Sequence, residues 1–280
     1  MTRFLTLTSV LALGAGAAAA EMRFNRIASF ATPLNMAEGE DASRETSPEI
    51  IDVTPDGMTL VYTDSPLGAL GRVDITDPAN PQPLGNIALD GEPTSVAVVQ
   101  GVAIVGVNTS ESYTEPSGYV ASINVGDGIE TDRCDLGGQP DSIAVAPDGS
   151  FVAVAIENER DEDLGEGRTG QLPAGNLTMV NLTGEGLLDC DTLRVVELTG
   201  MAEVSPEDPE PEYVAINSLS ETVVTLQENN HLVVVSRDGT VLSHFSAGAV
   251  DLNTIAAPDA RAGGRLVADG PLKALGEGAG

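Results

Sequence analysis

Two stretches of this sequence crowd carboxylates as a hard-cation site would. The first, between residues 157 and 174, holds Glu157, Glu159, Asp161, Glu162, Asp163 and Glu166; the second, between 201 and 212, holds Glu203, Glu207, Asp208, Glu210 and Glu212. Oxygen donors on loops suit Ca²⁺, which takes roughly six to eight of them. Crowded carboxylates repel one another, and a divalent cation relieves that repulsion. The residues expected to act as metal ligands are Glu157, Glu159, Asp161, Asp163, Asp208, Glu210 and Glu212. Neither stretch has the Asp-x-Asp-x-Asp-Gly spacing of an EF-hand. The same residues therefore also read as solvated acidic loops, and both readings stay open at this point.

Other chemistry has less support. There is no Gly-x-Ser-x-Gly elbow, and the two histidines, His231 and His244, fall in strand-like segments where a structural role is the ordinary one. The glycines at 165 and 170 flank Arg168, but no Walker lysine or helix follows to cradle phosphate. Arg160 and Arg168 sit inside the first acidic stretch, where they could face phosphate beside Ca²⁺ in a phosphoesterase. Cys134 and Cys190 match no zinc or thioredoxin spacing, and in an oxidising compartment two such cysteines can pair.

Charge narrows the partners. The formal net charge is −30, from 43 acidic against 13 basic residues in a chain of 280. That excludes nucleic acid and disfavours an anionic membrane surface. It favours a cation or a cationic small molecule or protein, or serves solubility alone. Trp is absent and aromatic residues make up 3%, which speaks against a stacking platform. Arg3, the apolar run Phe4 to Leu13 and Ala18-Ala19-Ala20 read as a signal peptide over residues 1–20, cleaved after Ala20. The mature chain is expected in the periplasm or outside the cell, with no membrane span.

The elements that must position these residues come from a repeat. Pro48 to Gly91, Pro93 to Gly138, Pro140 to Gly200 and Pro211 to Gly248 each carry a Pro, two apolar strands around a tight turn, two further strands and a Gly. A period of roughly 40–50 residues with about four strands is that of a propeller blade. Pro55-Asp56-Gly57 and Pro147-Asp148-Gly149 are strong hairpin turns. The predicted fold is all-β: a β-propeller of four-stranded antiparallel blades over residues 21–248, with at least four blades recognisable and the ring incomplete or small. Arg23 to Phe30 is a predicted strand that could close the ring, and residues 249–280 are a degenerate blade or a flexible tail. Cys134 and Cys190 fall in the outer strands of neighbouring repeats, so a bridge between repeats is one expectation.

Several phrases add a resemblance. Gly91-Glu92-Pro93-Thr94-Ser95-Val96-Ala97-Val98, Gln139-Pro140-Asp141-Ser142-Ile143-Ala144-Val145-Ala146-Pro147-Asp148-Gly149, Pro209-Glu210-Pro211-Glu212-Tyr213-Val214-Ala215-Ile216, Val224-Thr225-Leu226-Gln227-Glu228-Asn229-Asn230 and Val73-Asp74-Ile75-Thr76-Asp77-Pro78-Ala79-Asn80-Pro81 stand in this order. Together, over roughly residues 24–255, the chain resembles the choice-of-anchor I family of secreted bacterial proteins. The resemblance implies a seven-bladed, YVTN-like propeller and the labels alkaline phosphatase or esterase-like phytase. Members of that family are usually longer, so a shortened member or a truncated fragment is a further expectation.

Antiparallel connectivity then places the chemistry. Both acidic stretches, one a second-to-third-strand loop and the other a link between blades, should leave the same face. Glu49, Asp141 and Glu212, each following the Pro that opens an inner strand, should ring the channel mouth on that face. The function expected is an exported binding or scaffold module, stabilised by Ca²⁺, with a Ca²⁺-dependent phosphoesterase as the alternative.

Overall fold

The computed structural model describes residues 25–161, 163 and 170–250, together with the pairing of 256–259 with 267–271. The expected signal peptide, Glu162, Glu166 and Arg168 lie outside the described residues.

Sixteen strands form four four-stranded antiparallel sheets, each a blade in simple meander order. The first holds β1 (Pro48–Val53), β2 (Thr59–Asp64), β3 (Ala69–Asp74) and β4 (Gln82–Ala88). The second holds β5 (Glu92–Val99), β6 (Val102–Asn108), β7 (Gly118–Asn124) and β8 (Glu130–Asp135). The third holds β9 (Pro140–Val145), β10 (Phe151–Ile156), β11 (Asn176–Leu182) and β12 (Leu188–Glu197). The fourth holds β13 (Pro211–Ile216), β14 (Thr222–Leu226), β15 (His231–Val235) and β16 (Val241–Ser246). A separate two-stranded sheet pairs β17 (Ala256–Asp259) with β18 (Val267–Pro271). The inner strands pack in chain order, β1 on β5, β5 on β9 and β9 on β13, so the fold is a β-propeller of which four blades are seen.

Local chemistry explains the hairpins. At the first, Gly57 takes φ 73° and its N–H reaches the Thr54 carbonyl at 2.8 Å, while Asp56 Oδ1 accepts from the Met58 N–H at 3.0 Å. Pro147-Asp148-Gly149 repeats the device, with Gly149 at φ 70° and Asp148 Oδ1 accepting from the Ser150 N–H at 3.0 Å.

The second and third blades carry apolar contacts on both faces, so their middle strands are buried almost throughout, whereas β14 and β15 of the fourth blade alternate. Val61, Leu70, Val96, Val105 and Ile123 fill the space between the first and second blades. Ile104, Val120, Val152, Val154 and Leu188 do so between the second and third, and Phe151, Met179, Leu198, Val224 and Val233 between the third and fourth. Each such side chain contributes about 1.5–3 kcal/mol on burial. The Pro that opens an inner strand also docks on the preceding blade. A Cβ on Gly118 would lie 2.3 Å from Pro140 Cδ, and one on Gly175 would lie 2.5 Å from Pro211 Cδ. Only glycine leaves room for that contact, so Pro and Gly recur together at the repeat boundaries.

Two features depart from, or add to, the sequence expectations. Residues 25–30 form no strand. They pass over the free face of the first blade instead and enclose a cavity of about 620 Å³ with Ile51, Leu60, Tyr62 and Val73. The segment that follows is pinned by Asn35, which donates to the Tyr62 hydroxyl at 2.9 Å and accepts the Gly85 N–H at 3.1 Å. Its polar anchoring to one face explains why it does not pair as an edge strand. The second feature is a disulfide between Cys134 on β8 and Cys190 on β12, with a Cα–Cα distance of 5.4 Å, which ties the outer strands of the second and third blades.

Candidate functional site

In a meander blade, the start of the first strand, the second-to-third-strand loop and the exit of the fourth strand share one end. The 157–175 loop and the 198–210 link therefore meet above the third and fourth blades. Hydrogen bonds show the meeting directly: Gly175 N–H donates to the Pro209 carbonyl at 3.0 Å, and Gln171 N–H to Asp208 Oδ2 at 2.7 Å.

Their junction is an ionic lock. Arg160 Nε lies 2.6 Å from Glu210 Oε1 and 3.2 Å from Asp208 Oδ2, with side-chain exposures of 5%, 3% and 0% for Arg160, Glu210 and Asp208. The Arg160 N–H also donates to Glu210 Oε1 at 2.9 Å. Asn229, buried at the β14–β15 turn, accepts the Glu210 N–H at 2.8 Å and donates to the Asp208 carbonyl at 2.9 Å. Burial raises the carboxyl pKa of both Asp208 and Glu210, against the pull of Arg160. Of the expected ligands, Asp208 and Glu210 are thus engaged by a guanidinium. Asp208 Oδ1 has no hydrogen-bond partner among the described residues.

Three further carboxylates open inner strands at the same end of the blades. Glu49, Asp141 and Glu212 are the second residues of β1, β9 and β13. In the second blade Thr94 follows the Pro and donates instead to the Pro140 carbonyl at 2.9 Å. Burial, with repulsion from Glu212, Glu159 and Glu49, pushes Asp141 up to about 7. Burial, with repulsion from Asp141, Glu159, Glu210 and Glu212, pushes Glu157 up to about 8. Glu212 is also raised, by burial and by Glu228. The structure therefore brings Glu49, Asp141, Glu157, Glu159 and Glu212 into one mutually repelling group.

Asp161 and Asp163 stand farther along the loop. Asp161 Oδ1 accepts the Asp163 N–H at 2.9 Å, and the Asp161 N–H is held by Gln171 Oε1 at 2.9 Å. Among the described residues, no three His, Cys, Asp or Glu side chains converge as a finished metal ligand set. Within this group the pKa values of Asp141 and Glu157 are raised furthest above the ordinary carboxylate range.

Neither the lock nor the grouping of Glu157 with Asp141 was legible in the sequence. A lone Arg inside an acidic insertion was the available signal for Arg160. For Asn229 the signal was its place in the Gln-Glu-Asn-Asn turn.

The sequence profile described as the choice-of-anchor I domain matches residues 49–261. Among solved structures, a protein assigned as a 6-phosphogluconolactonase from Bacteroides uniformis aligns with a TM-score of 0.51 at 17% identity, covering 76% of this chain and 59% of that one. The periplasmic gluconolactonase PpgL of Pseudomonas aeruginosa aligns with a TM-score of 0.50 at 16% identity, covering 76% of this chain and 57% of that one. At these identities the likeness is one of fold, and this chain spans less than two thirds of the length of either structure. No protein of curated function matches the sequence. Among the described residues no helix is long and apolar enough to cross a membrane.

Proposed function

The chain belongs to the choice-of-anchor I domain family, and from that premise we propose an exported binding module whose acidic mouth takes up cationic ligands, Ca²⁺ first among them. The observation that carries this reading is the coupling of Asp141 and Glu157, raised to about 7 and about 8 by burial and by neighbouring carboxylates with no basic side chain among the causes. A divalent cation would replace the bound protons and relieve the repulsion among these carboxylates. Glu157, Glu159, Asp141 and Glu212 would be its protein ligands, with water or a partner's oxygens completing the shell. A basic protein segment or an organic cation would meet the same field. The phosphoesterase alternative gains no comparable observation, because Arg160 is consumed by Asp208 and Glu210 rather than turned toward a substrate.

Stability should report the ligand. The ordinary values of these two groups are 3.8 and 4.5, so both folded pKa values are raised. Between those pH limits the folded chain binds more protons than the unfolded one, so stability is full below pH ~4 and is lost as pH rises toward ~8. The loss should be on the order of several kcal/mol for the pair, the repulsion between the two groups being counted once, in the rise of Glu157. Urea unfolding at pH 5 and pH 8.5 checks this. Asp141→Asn with Glu157→Gln should flatten the dependence and stabilise the chain at pH 8.5. Ca²⁺ at about 100 times its Kd should restore about 2.7 kcal/mol to the parent at pH 8.5 and much less to the double variant. Equal Ca²⁺ responses in the two proteins would remove the mouth as the binding site.

A further inference from the structure

Away from the mouth, the described residues bring both histidines of the chain together. His231 opens β15 and His244 lies on β16. The register pairs His231 with Ser246 and Val233 with His244, so the two histidines are diagonal neighbours on one face of the sheet. His231 is buried at 6% exposure, and His244 is exposed to solvent. His231 Nε2 stands 3.0 Å from His244 Nδ1. The ring planes are tilted by 40°, with centroids 5.2 Å apart. The charge of Glu203, on the link between the third and fourth blades, acts on His231, but no third donor converges with the two rings among the described residues.

We propose that His231 Nε2 and His244 Nδ1 chelate a borderline transition-metal ion, Zn²⁺ or Cu²⁺, at the outer margin of the fourth blade, with water completing its shell. Two imidazole nitrogens bound to one tetrahedral Zn²⁺ at about 2.0–2.1 Å lie about 3.3 Å apart, so the pair already stands close to the chelate spacing. Bringing both lone pairs onto one ion needs each ring to turn by roughly 35° from the direct nitrogen–nitrogen line, and the second side-chain torsion of histidine is soft and broad. In the metal-free pair one imidazole donates its N–H to the other. On binding, that ring's proton moves to its own second nitrogen, so two neutral rings present two lone pairs with no net proton release. The field of a chain with formal charge −30 favours arrival of the cation. The site is distinct in chemistry from the mouth, since nitrogen donors select these metals where carboxylates alone select Ca²⁺.

The test is a Zn²⁺ titration by calorimetry at pH 7.5, with Ca²⁺ in excess to occupy the carboxylates. A parallel two-dimensional NMR spectrum follows the imidazole resonances. The expected result is one Zn²⁺ per chain, shifts of both histidines' ring signals, at least a tenfold weaker association in His244→Ala, and loss of binding below pH ~5.5 as the rings protonate. His244 is exposed, so His244→Ala should fold normally; a circular dichroism spectrum and urea midpoint equal to those of the parent confirm it. His231→Gln should weaken Zn²⁺ likewise. Ring signals that stay put on adding Zn²⁺, or a His244→Ala protein that binds as tightly as the parent, would mean that the pair is only a hydrogen bond between imidazoles.

Discussion

Arg160→Met should destabilise the folded chain by about 3–5 kcal/mol, the largest single effect expected here. Arg160, Asp208 and Glu210 are almost wholly removed from water, and the guanidinium is the only cation that touches either carboxylate among the described residues. Taking it away leaves two buried acids, one of which already has an oxygen with no partner. The folded state must then protonate both or open the junction of the 157–175 loop with the link. The cost comes from uncompensated charge rather than lost packing, so the effect should shrink at pH 4, where both acids can take up protons. Replacing all three side chains together, as Arg160→Met with Asp208→Leu and Glu210→Met, should recover most of the loss. Urea unfolding of the three proteins at pH 7.5 and pH 4 reads this directly. A loss below about 1 kcal/mol in Arg160→Met would show that the junction is solvated and the lock contributes little.

Reduction of Cys134–Cys190 should cost about 4 kcal/mol on loop-closure grounds. The bridge spans 56 residues and so removes a large conformational freedom from the unfolded chain. The effect should be dominated by the denatured state, because Cys190 lies at the exposed surface and the neighbouring core of Val120, Leu136 and Leu188 remains apolar when the bond is cut. Cys134→Ala with Cys190→Ala should lower the urea midpoint without much change in secondary structure. It should also raise the urea slope, since a chain free of the tether exposes more surface. A midpoint unchanged by reductant would mean that the second and third blades are held by their apolar interface alone.

Much of the architecture was legible because the repeat obeys local rules. Pro-Asp-Gly turns, Val-rich strands and the Pro that docks on a Gly of the preceding blade are all written in adjacent residues. They led correctly to four-stranded antiparallel blades. Connectivity alone then placed the two acidic excursions at one end, where the structure shows them hydrogen-bonded to each other. Residues 25–30 were misread as a closing strand because their composition is strand-like. What decides their course is the side chain of Asn35 and the free face beneath, both of which are tertiary facts. The division of the carboxylates into those held by Arg160 and those grouped with Asp141 was equally invisible. It depends on which residues are within about 3 Å of one guanidinium, a distance that spans some fifty positions of chain. The histidine pair was out of reach for the same reason: only the β15–β16 register puts the two rings on one face.

The mouth is best tested by measuring Ca²⁺ binding together with the protons it displaces. Calorimetric titrations at pH 7.5 in two buffers of different ionisation enthalpy give both quantities at once. The account predicts saturable binding, a release of between about half a proton and one and a half protons per ion as Asp141 and Glu157 give up theirs, and loss of both signals in Asp141→Asn with Glu157→Gln. Binding without proton release, or binding that survives in that double variant, would contradict it.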